Sequence, residues 1–458
     1  MRVQLQILYV RLIHLTLAIM DLPQALRNKK NIYHYPLKIV EQEYIAATKS
    51  VFTGQCATFQ AAMKLTVTIG QCFGLNPVLG ISEMDPSKLR FCFCSWRCSC
   101  SIASIIVQLS VVFLCVLKMF RQSDASLSSN TFLVFSSTNC MTTILFLRLS
   151  RKWPWLCQHI AKTEAIDPNM DATLARRCNT CCIAILTLAL VEHLLSDLSS
   201  GAAIIDCDNK GYEGFITSSF PWIFSVLPYN DVFGFIAQLI NLQCAFNWNF
   251  ADVFVICISL YLTSRLDQVN RRVEAIKGKH VPPLVWRTIR EDYCRITRLV
   301  RRVDDAIGEI IFMSFTNNLF FICLQLLHML SEGVRSATPS CHPDEPDRRP
   351  LQGYEHAIYF VFSFIFLVTR SLGVSLMASR VHTASKKPAF SLYDVPSEAY
   401  CVEIQRFLNQ IHGEIVALSG MNFFNVKRGI VLTIAGTIVT YELVLMQFTG
   451  VTPTAAPT

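Results

Sequence analysis

Gly429-Ile430-Val431-Leu432-Thr433-Ile434-Ala435-Gly436-Thr437-Ile438-Val439-Thr440-Tyr441-Glu442-Leu443-Val444-Leu445-Met446-Gln447-Phe448 is a near-unbroken apolar run with one charge, Glu442. A bilayer core about 30 Å thick needs roughly 20 such residues in a helix. The run is therefore a membrane span, and the same criterion applied towards the amino terminus finds six more. They lie at about 100–119, 130–149, 181–204, 233–262, 308–330 and 355–379. The fourth is long enough to project beyond the membrane. Composition agrees: of 458 residues, 52% are hydrophobic and 16% charged, with the apolar ones gathered into blocks.

The basic residues lie between the blocks. Arg151, Lys152, Lys162, Arg176 and Arg177 follow span two, and eleven Lys and Arg fall between 263 and 307. Arg380, Lys386, Lys387, Arg406, Lys427 and Arg428 follow span six. The alternate connections are poor in basic residues or balanced by acidic ones. The positive-inside rule then places the amino terminus in the cytoplasm and the carboxyl terminus outside. This is the reverse of a G-protein-coupled receptor, and the Asp-Arg-Tyr and Asn-Pro-x-x-Tyr signatures of that class are missing too. The net charge of +8 forms no long basic patch, so nucleic acid is not an expected partner. No nucleophile–base pair points to an enzyme, and no repeated half points to a transporter. The first twenty residues, interrupted by Arg2, Arg11 and His14, do not read as a signal peptide.

Most of the 19 cysteines lie in apolar blocks, where a thiol packs as a small hydrophobe. Cys92, Cys94, Cys98 and Cys100 are spaced C-x-C-x3-C-x-C without a following pair or His, which does not suit zinc. Cys207 and Cys341 fall in outward connections and are candidates for a disulfide. Between 267 and 306, charges and aliphatics alternate at helical spacing, broken by Pro282-Pro283. From Ser397 to Gly420 an amphipathic helix is expected, starting at a Ser cap and stopping at Gly420. Both are too polar to span and form a helical bundle beneath the membrane.

The last span holds Thr440-Tyr441, five further positions, then Gln447-Phe448, and so resembles the closing signature of insect gustatory receptors. Leu418-Ser419-Gly420, Phe423-Phe424, Arg428-Gly429 and Ala435-Gly436-Thr437-Ile438-Val439 resemble the sugar-receptor branch. So do Phe73-Gly74-Leu75-Asn76-Pro77-Val78, Arg151-Lys152-Trp153-Pro154, Leu190-Val191-Glu192-His193-Leu194-Leu195 and Phe246-Asn247-Trp248-Asn249-Phe250. The resemblance covers roughly residues 60 to 450. It implies an all-α, seven-transmembrane-helix protein whose four subunits, alike or related, surround one pore. A sugar agonist would open that pore directly to cations, in the plasma membrane of gustatory neuron dendrites, without a cofactor. The alternatives are a chemoreceptor for a non-sugar ligand, a G-protein-coupled receptor or a transporter.

On this reading, 1–98 is a cytoplasmic amino-terminal region and 99–262 contains spans one to four. Residues 263–307 are a cytoplasmic helical extension and 308–379 contain spans five and six. Residues 380–428 form a cytoplasmic anchor, 429–448 the pore-lining span and 449–458 an outer tail. At 3.6 residues per turn, Gln447 shares a face with Thr440, Val444 or Leu443, Gly436 and Thr433. Such a weakly polar stripe suits a water-filled pore, or a close helix-packing face. The resemblance places Gln447 and Phe448 at the gate.

Sugars bind aromatic faces and convergent polar groups between helices. The outer halves of spans three to six supply Glu192, His193, Ser196 and Asp197, then Asn241 and Trp248, then Gln325 and His328, then Glu355, His356 and Tyr359. Several of these side chains also suit plain interhelical hydrogen bonds. Asp252, one turn inward from Trp248, reads as structural.

Overall fold

The computed structural model describes residues 58–449 apart from 84, 123–126, 168–170, 208–210, 225, 227, 333–350 and 352. For 441–443 and 445–449 it describes the backbone alone. The first twenty residues, Cys341 and the side chain of Cys207 thus lie outside the described residues, as do the side chains of Gln447 and Phe448 and most of the outer tail.

The chain is nearly all helical. α1 (Phe59–Cys72) is followed by a two-stranded hairpin, β1 (Val78–Leu79) with β2 (Arg90–Phe91). Then come α2 (Trp96–Gln122), α3 (Leu127–Ile166) and α4 (Leu174–Cys207). Two short helices, α5 (Gly211–Ser219) and α6 (Pro221–Phe224), lead into α7 (Asp231–Ile276) and α8 (Pro283–Glu332). α9 (Glu355–Lys386), α10 (Pro388–Tyr393) and α11 (Val402–Gly413) precede a second hairpin, β3 (Ser419–Gly420) with β4 (Phe424–Asn425). α12 (Ile430–Thr449) closes the described chain.

Each of the seven apolar stretches lies on one of α2, α3, α4, α7, α8, α9 and α12. Six of these helices are long and apolar enough to cross a membrane among the described residues, and part of α12 is apolar over a shorter length. At 46 and 50 residues, α7 and α8 are about 70 and 75 Å long at 1.5 Å per residue, more than twice a bilayer core. Their surplus builds a second layer. The break between them falls where Pro282-Pro283 was expected to place it.

α7 is the axis of that layer. Phe250, Val253, Phe254, Val255, Ile256, Cys257, Ile258 and Leu262 are fully buried, because α1, α3, α4, α8, α9 and α10 all pack around this helix. A helix enclosed on every side is expected to be apolar nearly all round, and this stretch is so apart from Asp252 and Ser259. Gly70 of α1 lies so near α7 that a Cβ there would stand 2.6 Å from the Phe250 ring. Charged groups lock the layer's edge. Arg272 of α7 pairs with Asp167, which follows α3, and its other nitrogen is 2.7 Å from Asp292 of α8.

Two expectations are corrected. The helix expected from Ser397 to Gly420 runs only over Val402–Gly413, with Cys401 at its start and no side-chain cap. Residues 414–418 are not helical, and Val416 and Leu418 bury their side chains in the core. Gly420 is no helix stop; it sits in the second hairpin. Its absent side chain matters there, since a Cβ would lie 2.4 Å from the Phe424 ring. Within region 1–98, the described residues from Thr58 onward include α1 and the first hairpin, which pack on the bundle.

Candidate functional site

Between α4, α8 and α9 a chain of polar side chains crosses apolar surroundings. Ser363 of α9 donates to Glu192 Oε1 at 2.5 Å, and Gln325 Nε2 of α8 donates to Ser363 Oγ at 3.0 Å. The Tyr359 hydroxyl, one turn along α9, interacts with Ser196 and Ser363. Glu192, Ser196, Gln325 and Tyr359 are thus brought together by three helices, with Ser363 at the centre. The position of Ser363 was not read from the sequence, because a serine in a span is silent until its neighbours are known.

A second group adjoins it along α4. His193 Nε2 is 3.6 Å from Asp197 Oδ2, which also accepts from Gln238 Nε2 of α7 at 2.8 Å. His356 is exposed, with its Nδ1 3.5 Å from Ser199 Oγ. His328 is half-buried on the last turns of α8. Glu355 is buried and accepts from the Leu351 backbone N–H at 2.6 Å. That geometry holds the start of α9, so this carboxylate is engaged in local structure.

Trp248 sits one layer deeper, packed against Phe321 at 4.7 Å and Phe135 at 6.0 Å between ring centres. The Arg370 guanidinium lies 4.5 Å from its ring centre. Arg370 Nε is 2.9 Å from Asp252 Oδ2, and both side chains are 1% exposed. Asn318 adds 3.0 Å and 3.1 Å bonds to Asp252 and Arg370, Ser314 donates to Asp252, and Arg370 donates to Asn249. This network ties α7, α8 and α9 together beneath the polar chain. Asp252 has the structural position expected of it. Arg370 was missed, although a lone arginine inside span six facing a lone aspartate in span four is a readable pair.

Several buried polar atoms here, Gln238 Oε1 included, have no hydrogen-bond partner among the described residues, and two of them are Gln325 Oε1 and Trp248 Nε1. One is an acceptor and the other a donor, and Gln325 lies one turn from Phe321, against which Trp248 packs. An unsatisfied buried group costs about 1–3 kcal/mol, so such atoms are natural places for a ligand hydroxyl or water.

Asn241 belongs elsewhere. It lines a narrow cleft between α2, α3, α6 and α7, with Gln108, Phe132, Phe135 and Trp222 among its walls. Phe132 and Trp222 stack there at 3.5 Å. Phe135 touches both this cleft and Trp248, so a shared aromatic wall separates the two regions.

α12 packs on α8 and α9 through a stripe of half-buried Ile430, Ile434 and Ile438. Thr433, Gly436, Thr440 and Val444 are exposed and lie roughly 80–160° around the helix from the centre of that stripe. Thr440 Oγ1 donates to the Gly436 carbonyl at 2.9 Å, leaving a hydroxyl lone pair directed outward. The carboxylate of Asp304 on α8 accepts from the Ser419 N–H at 2.6 Å and the Ser419 hydroxyl at 2.7 Å. The hairpin that delivers the chain into α12 is thereby latched to the lower layer. Among the described residues, no group of three His, Cys, Asp or Glu side chains could hold a metal.

Comparison with solved structures finds the same fold in the insect olfactory receptor OR5 from Machilis hrabei. Its TM-score is 0.61 at 14% identity, covering 89% of this chain and all of that one. The same receptor in complex with eugenol gives a TM-score of 0.57. Among curated proteins, the chain is 32% identical to the Drosophila melanogaster gustatory receptor for sugar taste 64f, over 85% of this chain and 81% of the relative. It is 31% identical to gustatory receptor 5a for trehalose of the same fly, over 90% of each. These relatives are receptors, and none is an enzyme. The trehalose receptor family model matches residues 41–342 and 347–455. The chain is thus a membrane chemoreceptor that belongs to the trehalose receptor family of gustatory receptors.

Proposed function

We propose that the chain is a sugar-gated, non-selective cation channel of sweet-taste neurons, working as a homo- or heterotetramer with related receptors in the plasma membrane of the dendrite. The amino terminus lies in the cytoplasm and the carboxyl terminus outside, an orientation supported by the basic connections after spans two, four and six. The sugar binds within each subunit in the outer half of the bundle, among Glu192, Ser196, Gln325, Tyr359 and Trp248. His193, Asp197, His328 and His356 line the approach, with Asn241 behind the aromatic wall.

One observation carries this reading. An unpartnered acceptor on Gln325 lies beside the Glu192 carboxylate that already holds the Ser363 hydroxyl, and an unpartnered donor on Trp248 lies one layer deeper. The same set of groups would hold the hydroxyls of a polyol, each of which is both donor and acceptor. Opening follows if the sugar draws α8 and α9 together, because α12 rests on both. The stripe of Thr433, Gly436, Thr440 and Val444, continuing to Gln447, lines the conduction path, with Phe448 as a hydrophobic collar. Permeant cations and surrounding lipid are the other expected partners.

The test is current recording from cells expressing the chain, alone and with a related receptor, while a panel of sugars is applied. Inward current within milliseconds to at least one sugar, insensitive to G-protein inhibitors, is the expected result. Silence to all sugars with robust current to an aromatic compound would favour the second reading, a chemoreceptor for a non-sugar ligand. The stacked Phe132–Trp222 cleft is the observation that favours that alternative.

A further inference from the structure

The motif C-x-C-x3-C-x-C before span one takes no part in the function proposed above, and the structure separates its members. Cys98 is fully buried and Cys100 half-buried on α2, whereas Cys92 and Cys94 are exposed. The two exposed thiols sit on a fixed turn. Ser95 holds its carboxyl side, since its N–H and hydroxyl both donate to the Cys92 carbonyl and its oxygen accepts from the Cys98 N–H at 3.2 Å. β2 holds its amino side by pairing with β1, whose Val78 carbonyl accepts from Gln71 of α1 at 2.7 Å and Arg97 of α2 at 3.1 Å.

The surroundings of this turn are those of a membrane boundary. Phe93, between the two cysteines, is 55% exposed and Trp96 is 80% exposed at the first turn of the apolar helix. Aromatic side chains of this kind anchor at the bilayer interface. The Arg151 guanidinium lies 4.8 Å from the Phe93 ring centre, and Arg151 with Lys152 marks the end of span two where charge resumes. Arg90, Arg97, Arg151 and Lys152 are all exposed around the turn, a surface suited to the anionic inner leaflet.

We propose that Cys92 and Cys94 are S-acylation sites that take a long-chain fatty acyl group from acyl-coenzyme A at the inner face of the membrane. The Cys thiolate attacks the thioester carbonyl carbon and a new S–C bond forms. The coenzyme A thiolate departs and takes up the proton that the cysteine lost, with no change of oxidation state. Juxtamembrane cysteines are the usual acceptors of this reversible modification. Each acyl chain adds membrane affinity in proportion to the methylenes it buries. Two chains on one rigid turn would pin α1, the first hairpin and the start of α2 to the leaflet. The inference rests on the cytoplasmic orientation of this region.

The test is hydroxylamine-dependent thioester exchange on the full chain expressed in insect cells, with free thiols blocked first and a maleimide polymer reporting each thioester as a mass step. Two steps are expected in the wild type and in Cys98→Ser and Cys100→Ser. One step is expected in Cys92→Ser or Cys94→Ser, and none in the double variant. Wild-type thiols that are free, or released by reductant and not by hydroxylamine, overturn the proposal, as do steps that persist in the double variant. A tag after Thr458 reports orientation separately. With that tag labelled on intact cells, absent thioesters overturn the acylation alone. Labelling of Cys92 and Cys94 on intact cells by an impermeant maleimide overturns the orientation and the acylation together.

Discussion

Arg370 stacks its guanidinium on Trp248, 4.5 Å from the ring centre. One face of the indole is therefore covered by a cation that is itself paired with Asp252. Stacking of a sugar on this ring is confined to its other face, and the unpartnered N–H becomes its distinctive contribution. Trp248→Phe keeps an aromatic face against Arg370 and removes that donor. We expect about a 2- to 12-fold loss of agonist sensitivity, the range of about 0.5–1.5 kcal/mol for a neutral hydrogen bond. Dose–response curves at equal surface expression check this.

The pair beneath it predicts a stability effect. Arg370→Met leaves the Asp252 carboxylate buried and unpaired, which costs about 3–5 kcal/mol. Little folded receptor should reach the surface. Arg370→Met with Asp252→Leu removes both charges and should recover expression, measured by size-exclusion chromatography in detergent. Loss in the double variant as great as in Arg370→Met would show that the unpaired carboxylate is not what destabilises the single variant.

Glu192 is the charged member of the polar chain. Glu192→Gln keeps the shape and removes the charge-assisted bonds, worth about 1.5–3 kcal/mol, so agonist affinity should weaken about tenfold or more. Direct sugar binding to purified receptor checks this independently of gating.

The helical spans were legible because a bilayer demands a length of apolar sequence that few other structures need. The surroundings of each polar residue were not legible. Glu355, read as a pocket residue, accepts from the Leu351 N–H, a local bond that a lone carboxylate in the sequence does not announce. Asn241 lies on nearly the same face of α7 as Trp248, but seven residues set it about 10 Å further along the helix, where α2, α3 and α6 build a different cleft. The stretch from 414 to 420 read as helix because its aliphatics suit either period. Its burial partners, set by α8 and α9, decide against a helix, and only Ser419–Gly420 pairs as a strand.

Glu164 lies on α3 about 22 Å beyond the inner end of span two, at 1.5 Å per residue. Its carboxylate accepts from the Phe59 N–H at 2.9 Å, holding the start of α1. Burial pushes its pKa up to about 7, opposed by that N–H and by Arg265 nearby. The folded state then keeps a proton that the unfolded chain has lost, so stability falls as pH rises from about 4.5 to 7. Glu164→Gln removes this dependence. Its melting temperature in detergent should be flatter between pH 5 and 8 than that of the wild type.

The latch between Asp304 and Ser419 sits just before α12. Asp304→Ala removes two bonds to an ionised acceptor, each worth about 1.5–3 kcal/mol. Gly420→Ala drives a methyl group into Phe424. Both should free the hairpin and change resting current more than sugar binding, which binding assays and leak recordings on the same cells would separate.

The central claim is that sugar opens a pore lined by the exposed stripe of α12. The most direct measurement is the reversal potential of sugar-evoked current under two cation gradients, in the wild type and in Gln447→Ala, with a related receptor present if one is required. A shifted reversal potential in Gln447→Ala, with direct sugar binding changed far less, is the predicted result. Identical reversal potentials in the two proteins, or no sugar-evoked current from either, would contradict the account.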